Sequence, residues 1–244
     1  MSSLEDAFAP ETRALLLVLQ LLESEPRLMA MPGAVAFASS AGAIYAGSSD
    51  DIITEETIPA PTTAYARTKL EQEDQMRSFA FAHKRVAMLI ARISTIYGPG
   101  QNAGKQQGLL SHIARSILQN KAIQIYVPYD VIRDYIAVDD AAAAMVTALR
   151  CASETPGAVT KIIASEKPVT IAEIVSTFKK ISRRAPRIVT SANKLSSLYS
   201  RRVQFQSVVL QECERAPTRS LSVGIAELIM AERIAFAKGG KKTY

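Results

Sequence analysis

Apolar positions along the chain follow two alternating patterns, short unbroken runs that suit strands and longer stretches that suit helices. Residues 11–23 (ETRALLLVLQLLE) are apolar almost all round, which predicts a helix buried in a core or held at an interface. AVAFASS, residues 34–40, is a short apolar run between Pro32-Gly33 and a Ser pair, with the length and flanks of a buried parallel strand. A loop rich in Ser, Asp, Thr and Pro follows over 46–63, and Thr62 or Thr63 is placed to cap a helix reaching about Ala82. VAMLIARIS (86–94) predicts a second buried strand, and Tyr97-Gly-Pro-Gly100 a turn. Beyond it, GLLSHIARSILQ (108–119) predicts an amphipathic helix and AIQIYV (122–127) a strand. Asp139 or Asp140 is positioned to cap an Ala-rich helix to about Arg150, and KIIAS (161–165) predicts a short strand. Thr170-Ile-Ala-Glu173 has the spacing of a capping box opening a helix to about Ile181. A last helix is expected near 221–237, and there is no internal repeat or low-complexity tract.

Strand and helix alternate through the first 165 residues, which predicts an α/β fold with a parallel sheet and right-handed crossovers. The expected division is 1–165 for the sheet domain and 166–244 for a smaller lobe. With 244 residues, the chain is long enough for a substantial core. The most apolar stretch, Ala14 to Leu22, is broken by Gln20 and flanked by Arg13 and Glu23, too short to cross a bilayer. The acidic start, Met1-Ser-Ser-Leu-Glu-Asp6, lacks a signal-peptide pattern, so a cytoplasmic protein is expected. The two cysteines, Cys151 and Cys213, stand far apart and predict neither a disulfide framework nor a zinc site. Two histidines, His83 and His112, are too few for a metal cluster. Charge is uneven. Residues 1–150 carry 13 Lys+Arg against 16 Asp+Glu, a net −3, while 151–244 carry 16 against 7, a net +9. The basic part suits a phosphate-bearing ligand or a solvated surface ending in the tail Lys238-Gly-Gly-Lys-Lys242. The roles of Arg183/Arg184 and Arg201/Arg202 stay open.

The chemistry centres on Tyr65-Ala-Arg-Thr-Lys69. A spacing of four puts both side chains on one face of the capped helix. An ammonium beside a phenol favours the phenolate and lowers its pKa, and a tyrosine so tuned can take a proton from a hydroxyl and return it. With 8 Tyr and 12 Lys, chance alone supplies about 0.4 such pairs, so an exposed helix pair accounts for the motif taken by itself. Its context is more specific. Upstream, a predicted strand ends in Ser39-Ser40-Ala41-Gly42-Ala43-Ile44-Tyr45. Downstream come Ala91-Arg-Ile-Ser-Thr-Ile-Tyr-Gly-Pro-Gly100 and Arg133-Asp-Tyr-Ile-Ala-Val-Asp-Asp140.

In these blocks and their order the sequence resembles the extended short-chain dehydrogenases/reductases, especially the NAD-dependent nucleotide-sugar epimerases and dehydratases. KPVTIAEI (167–174) resembles the family's loop into its substrate lobe, and the likeness covers roughly residues 11–181. The resemblance implies a partial doubly wound, Rossmann-like sheet, with 101–130 contributing to the substrate side. It implies NAD as cofactor, a nucleotide-sugar substrate and a homodimer formed through helices 11–23 and 64–82. Tyr65 would be the acid/base, and Lys69 would bind the nicotinamide ribose and tune Tyr65. Ser39 would join Tyr65 and Lys69 at the cofactor, and Thr95 and Arg133 would bind substrate, Arg133 through the diphosphate. Arg133 could equally pair with Asp134 or Asp139. Three departures stand out. The usual helper hydroxyl falls at Ala41, so either Ser40 substitutes from one residue earlier or the helper is missing. Thr95 stands where an Asn is common. No GxxGxxG occurs, and its absence implies that about 80–100 residues of the family pattern would precede residue 11.

The expected activity is that of a redox-neutral 4-epimerase. The rival readings are an inactive family member or binding protein and an NADP-dependent reductase. A dehydratase would need an acidic pair where Ala41-Gly42-Ala43 stands. Nucleic-acid binding lacks a motif, and a serine hydrolase lacks GxSxG.

Overall fold

The computed structural model describes residues 8–101, 108–190, 202–213 and 217–239. Met1–Asp6, Arg201 and Lys241-Lys242, all singled out above, lie outside the described residues. The chain forms two compact units. The first comprises Met1–Ser94, Ala142–Ala164 and Phe205–Ala216, and the second Thr95–Ala141, Ser165–Gln204 and Pro217–Tyr244.

In the first unit, α1 (Ala9–Glu23) and α2 (Pro26–Ala30) lead into β1 (Gly33–Ser40) and the short α3 (Ala41–Ile44). Then come α4 (Ala64–Ala82) and β2 (Val86–Ile93), and later β7 (Gly157–Ile163). The strands form one parallel sheet in the order β1-β2-β7. β1 and β2 pair from Gly33↔Val86 to Ser40↔Ile93. All eight residues of β2 are buried, as its apolar run, broken only by Arg92, requires of a central parallel strand. α4 is the crossover from β1 to β2. Its Met76, Phe79 and Ala80 pack with Leu19 of α1 and with Val86, Met88 and Ile90. β7 begins four residues earlier than its apolar core predicted, because Gly157, at φ +122, lets the chain enter the sheet through a conformation other residues avoid.

The pairing of Cys151 with Cys213 corrects the sequence expectation, since the two are joined as a disulfide with Cα atoms 6.3 Å apart. Residues 205–213 fold back onto this unit, a tertiary event that a separation of 62 residues does not reveal. The returning segment is fixed at several points. Glu55 accepts hydrogen bonds from Ile162 N (2.7 Å), Ser207 Oγ (2.6 Å) and Val208 N (2.8 Å). Gln206 N donates to Ile53 O (3.0 Å).

The second unit holds β3 (Thr95–Tyr97), α5 (Leu109–Gln119), β4 (Ala122–Ile125), β5 (Ile132–Arg133), β6 (Tyr135–Ala137), β8 (Val169–Thr170), α7 (Ile171–Ser182), β9 (Arg187–Thr190) and α8 (Leu221–Gly239). α6 (Val138–Ala152) starts at its end of the chain path. Asp139 and Asp140 lie in the first turn of α6 rather than capping it. Asp140 instead binds Arg219, accepting from its backbone N–H at 2.8 Å and from Nε at 2.9 Å. The capping box of α7 forms as its spacing predicts, with Glu173 N donating to Thr170 Oγ1 and Thr170 N to Glu173 Oε2. β9, which the sequence did not signal, pairs in parallel with β4. The core gathers Leu110, Ile113, Ile174, Phe178, Ile225 and Leu228 from α5, α7 and α8. α8 approaches Tyr97 so closely at Gly224 that a Cβ there would lie 1.9 Å from the phenol oxygen.

Candidate functional site

Thr63 decides where α4 begins, because its side chain accepts the N–H of Ala66. Tyr65 therefore falls in the first turn and Lys69 one turn later on the same face. β1 brings Ser39 and Ser40 to its carboxyl end, and the Ser40 side chain is near enough to the Tyr65 phenol to pull its pKa down. The Lys69 ammonium lies 5.0 Å from the centre of the Phe37 ring and 5.8 Å from that of Tyr65. The ring of Phe8, the residue just before α1, sits 5.6 Å from the Tyr65 ring, tilted by 55°.

The electrostatics differ from the expected tuning. Burial pushes the Tyr65 pKa up, the Ser40 side chain pulls it down and the Glu11 carboxylate pushes it up, and the net shift is upward. Burial lowers the Lys69 pKa, against the opposing influence of Glu11. Desolvation thus works on both partners to disfavour the charged forms, and it outweighs the attraction that the motif by itself suggested. The phenol is therefore the favoured form, and the phenolate that a proton acceptor requires is the minor one at neutral pH.

Ser39 is engaged elsewhere. Its hydroxyl donates to Glu73 Oε1 at 2.7 Å. Glu73 is fully buried and also accepts from Arg92 Nε (2.9 Å) and Nη2 (2.7 Å) and from Arg77 Nη2 (2.9 Å), while Arg92 also donates to the Tyr45 hydroxyl. This network was missed in the sequence, although two signals pointed to it. Glu73 follows Lys69 by four residues and so shares its helix face, and Arg92 interrupts a strand that is otherwise apolar and must find a buried partner.

Thr95 and Arg133 belong to the second unit. Thr95 is exposed on β3, with its N–H donated to Asp134 O at 3.2 Å. Arg133 donates from Nη1 to Ile132 O at 2.7 Å and lines a cavity of about 850 Å³ together with Tyr135, Tyr126, Leu109 and Arg115. A cavity of this size lies within the usual range for small-molecule sites. Of the two acids weighed as partners for Arg133, Asp134 accepts from Ser165 N and Oγ, both at 2.9 Å, and Asp139 lies 3.7 Å from Arg219.

The model of the NAD dependent epimerase/dehydratase family matches residues 7–162, more than half of the sequence. The chain belongs to the NAD dependent epimerase/dehydratase family. Among its relatives, dTDP-L-rhamnose 4-epimerase of Burkholderia thailandensis is 35% identical over 96 residues, which span 39% of this chain and 26% of that protein. Solved structures share the fold. MoeE5 in complex with UDP-glucose and NAD superposes with a TM-score of 0.76 at 24% identity, covering 91% of this chain and 71% of its own. UDP-glucose 4-epimerase from Thermotoga maritima, with UDP-glucose, gives a TM-score of 0.79 at 19% identity, covering 97% and 76%. At these identities the structural likeness speaks for the fold, while membership of the epimerase/dehydratase family rests on the sequence match. Among the described residues, no helix is long and apolar enough to cross a membrane.

Proposed function

We propose that this family member carries the proton-transfer centre of an NAD-dependent nucleotide-sugar 4-epimerase, acting in the cytoplasm. One observation carries the reading: Tyr65 and Lys69 share a face of α4 beside the carboxyl half of β1, with Ser40 near enough to the phenol to lower its pKa. Ligands of open parallel sheets bind at that end of the strands. The donor set of one ammonium and a neighbouring phenol suits the hydroxyls of a nicotinamide ribose, with Lys69 and Tyr65 as the residues that would hold it, the Ser39 hydroxyl being given to Glu73. When bound, NAD supplies a hydride acceptor that later becomes the donor. Tyr65, in its phenolate form, takes the proton from the sugar hydroxyl as that carbon is oxidised and, as the phenol, returns it after the sugar has presented its other face. Lys69 stabilises the phenolate before the proton arrives and again after it has been returned, and Ser40 is the candidate to hydrogen-bond the reacting oxygen. Arg133, in the cavity of its own unit, is the candidate for the substrate diphosphate, where a guanidinium fork matches phosphate oxygens. Thr95 is the candidate for a sugar hydroxyl.

A second reading has one specific observation in its favour, since no GxxGxxG stands anywhere in the 244 residues. Under it the chain binds a nucleotide sugar without turning it over. One experiment separates the two: purified chain is incubated with saturating NAD and, in turn, UDP- and dTDP-hexoses, with chromatographic detection of the 4-epimers and calorimetric measurement of sugar binding. Interconversion that vanishes in Tyr65→Phe supports the epimerase. Binding without interconversion supports the second reading. Turnover that survives Tyr65→Phe overturns the assignment of the proton carrier.

A further inference from the structure

Away from this centre, Cys151, near the carboxyl end of α6, meets Glu212 and Cys213 on the returning segment. The two Sγ atoms and a Glu212 carboxylate oxygen all lie within 4.8 Å of one another. The cysteines are partly exposed and Glu212 is exposed, so reagents and ions have access. A carboxylate contributes nothing to a disulfide. Beside two thiolates, however, it completes a set of three ligands of the types that zinc accepts, with a fourth tetrahedral position left for water. We propose that Cys151, Glu212 and Cys213 form a binding site for one zinc-class cation, available when the Cys151–Cys213 bond is reduced and closed when it is oxidised.

The exchange balances with a dithiol as reductant. Its two electrons break the S–S bond, its two protons pass to Cys151 and Cys213, and the dithiol becomes a cyclic disulfide. Cation binding then displaces the two thiol protons to solvent, because thiolates are the ligands. The ligands stay together after reduction for a structural reason. Residues 205–213 are held independently of the sulfurs, by Glu55 through Ser207 and Val208, by Lys161 Nζ on Ser207 Oγ at 2.9 Å, and by Ile53 through Gln206. Opening the covalent link therefore leaves Cys213 and Glu212 beside α6. Cation and disulfide compete for the same two sulfurs, so bound cation should also shield the thiols from oxidation.

The site makes no use of the epimerase reading, and its test needs no activity. The 244-residue chain is prepared fully reduced and fully oxidised and titrated anaerobically with Zn²⁺ by calorimetry, with Co²⁺ absorption reporting thiolate ligands. Because the chain has only these 2 cysteines, the oxidised sample is a control that requires no substitution. The expected result is one Zn²⁺ per reduced chain, bound about 100-fold or more tighter than by the oxidised chain, and a loss of about tenfold or more in Glu212→Gln. Zn²⁺ should also slow the reaction of the reduced thiols with an aromatic disulfide reagent. Equal affinity in the two redox states overturns the proposal, and so does unchanged affinity in Glu212→Gln or in Cys213→Ser.

Discussion

The Tyr65 hydroxyl is set by burial and by two neighbours, Ser40 and Glu11. Burial and Glu11 raise its pKa, and Ser40 opposes them. Tyr65→Phe keeps the ring packed against Phe8 and removes the proton, so kcat should fall by about 10²–10⁴ with little change in KM. Steady-state kinetics on wild type and variant read this directly, and a loss confined to KM would point to a binding role. Glu11→Gln removes a charge that pushes the phenol up. The Tyr65 titration, isolated as the ultraviolet difference between Glu11→Gln chains with and without Tyr65→Phe, should therefore shift to lower pH than in the parent. A shift in the other direction would mean that Glu11 acts mainly through packing.

At the scale of elements, Glu73 ties α4 to the end of β1 and to β2. Burial disfavours its charge, yet the Arg92 bonds and charge, helped by Ser39 and Arg77, hold the carboxyl below its ordinary range. Because the folded pKa is depressed, this stabilisation is present above the unfolded value and is lost as pH falls through the folded one. Glu73→Gln leaves the Arg92 guanidinium buried beside a neutral amide, and urea denaturation at neutral pH should show a loss of about 3–5 kcal/mol. The gap between variant and parent should narrow in acid, and a constant gap would show that the charge is not what matters. α1 poses a different question. Leu19 is buried, but Leu17 and Leu21 are 55% and 69% exposed, and Leu16 and Val18 are also exposed. An apolar helix with so much open surface suits self-association, and we propose a homodimer through α1 and α4. Light scattering at micromolar concentration should give a dimer that Leu17→Glu/Leu21→Glu converts to monomer. A monomeric parent would remove the idea.

For the molecule as a whole, the sheet order of the first unit bears on cofactor binding. β1 pairs with β2, and no strand pairs with its other side among the described residues. Without a Gly-rich loop between a strand and a helix, the pyrophosphate of NAD lacks its backbone donors. Several charge-assisted hydrogen bonds at about 1.5–3 kcal/mol each are then missing. Titration calorimetry of the 244-residue chain should therefore give NAD binding weaker than micromolar, and micromolar affinity in a monodisperse sample would refute this. Alkaline stability offers a second whole-molecule test. Burial pushes Tyr97 up to about 12, with Asp140 and Glu227 reinforcing and Arg219 opposing it. Burial likewise pushes Tyr135 up to about 12, against Arg133. Both phenols hold their protons more tightly folded than unfolded, where the value is 10.0. Stability should be fully present below pH 10 and fall as pH rises from there towards about 12, which urea midpoints across that window would trace.

Local pattern was enough to find the elements whose cause is local. The α4 cap, which falls on Thr63 of the two threonines the sequence offered, the Thr170–Glu173 box and the apolar run of β2 are each set by residues within a turn or a strand of one another, and each stands in the structure where the sequence put it. Family membership was legible for a related reason, since its motifs are short and occur in a fixed order. The neighbours brought together by folding were not legible. Cys151 and Cys213 are 62 residues apart, Glu55 and Ser207 are 152 apart, and no periodicity connects either pair. The direction of the Tyr65 pKa belongs with these. The YxxxK spacing places an ammonium one turn away, but desolvation decides the sign, because burial is a property of the packed chain and not of any segment in it.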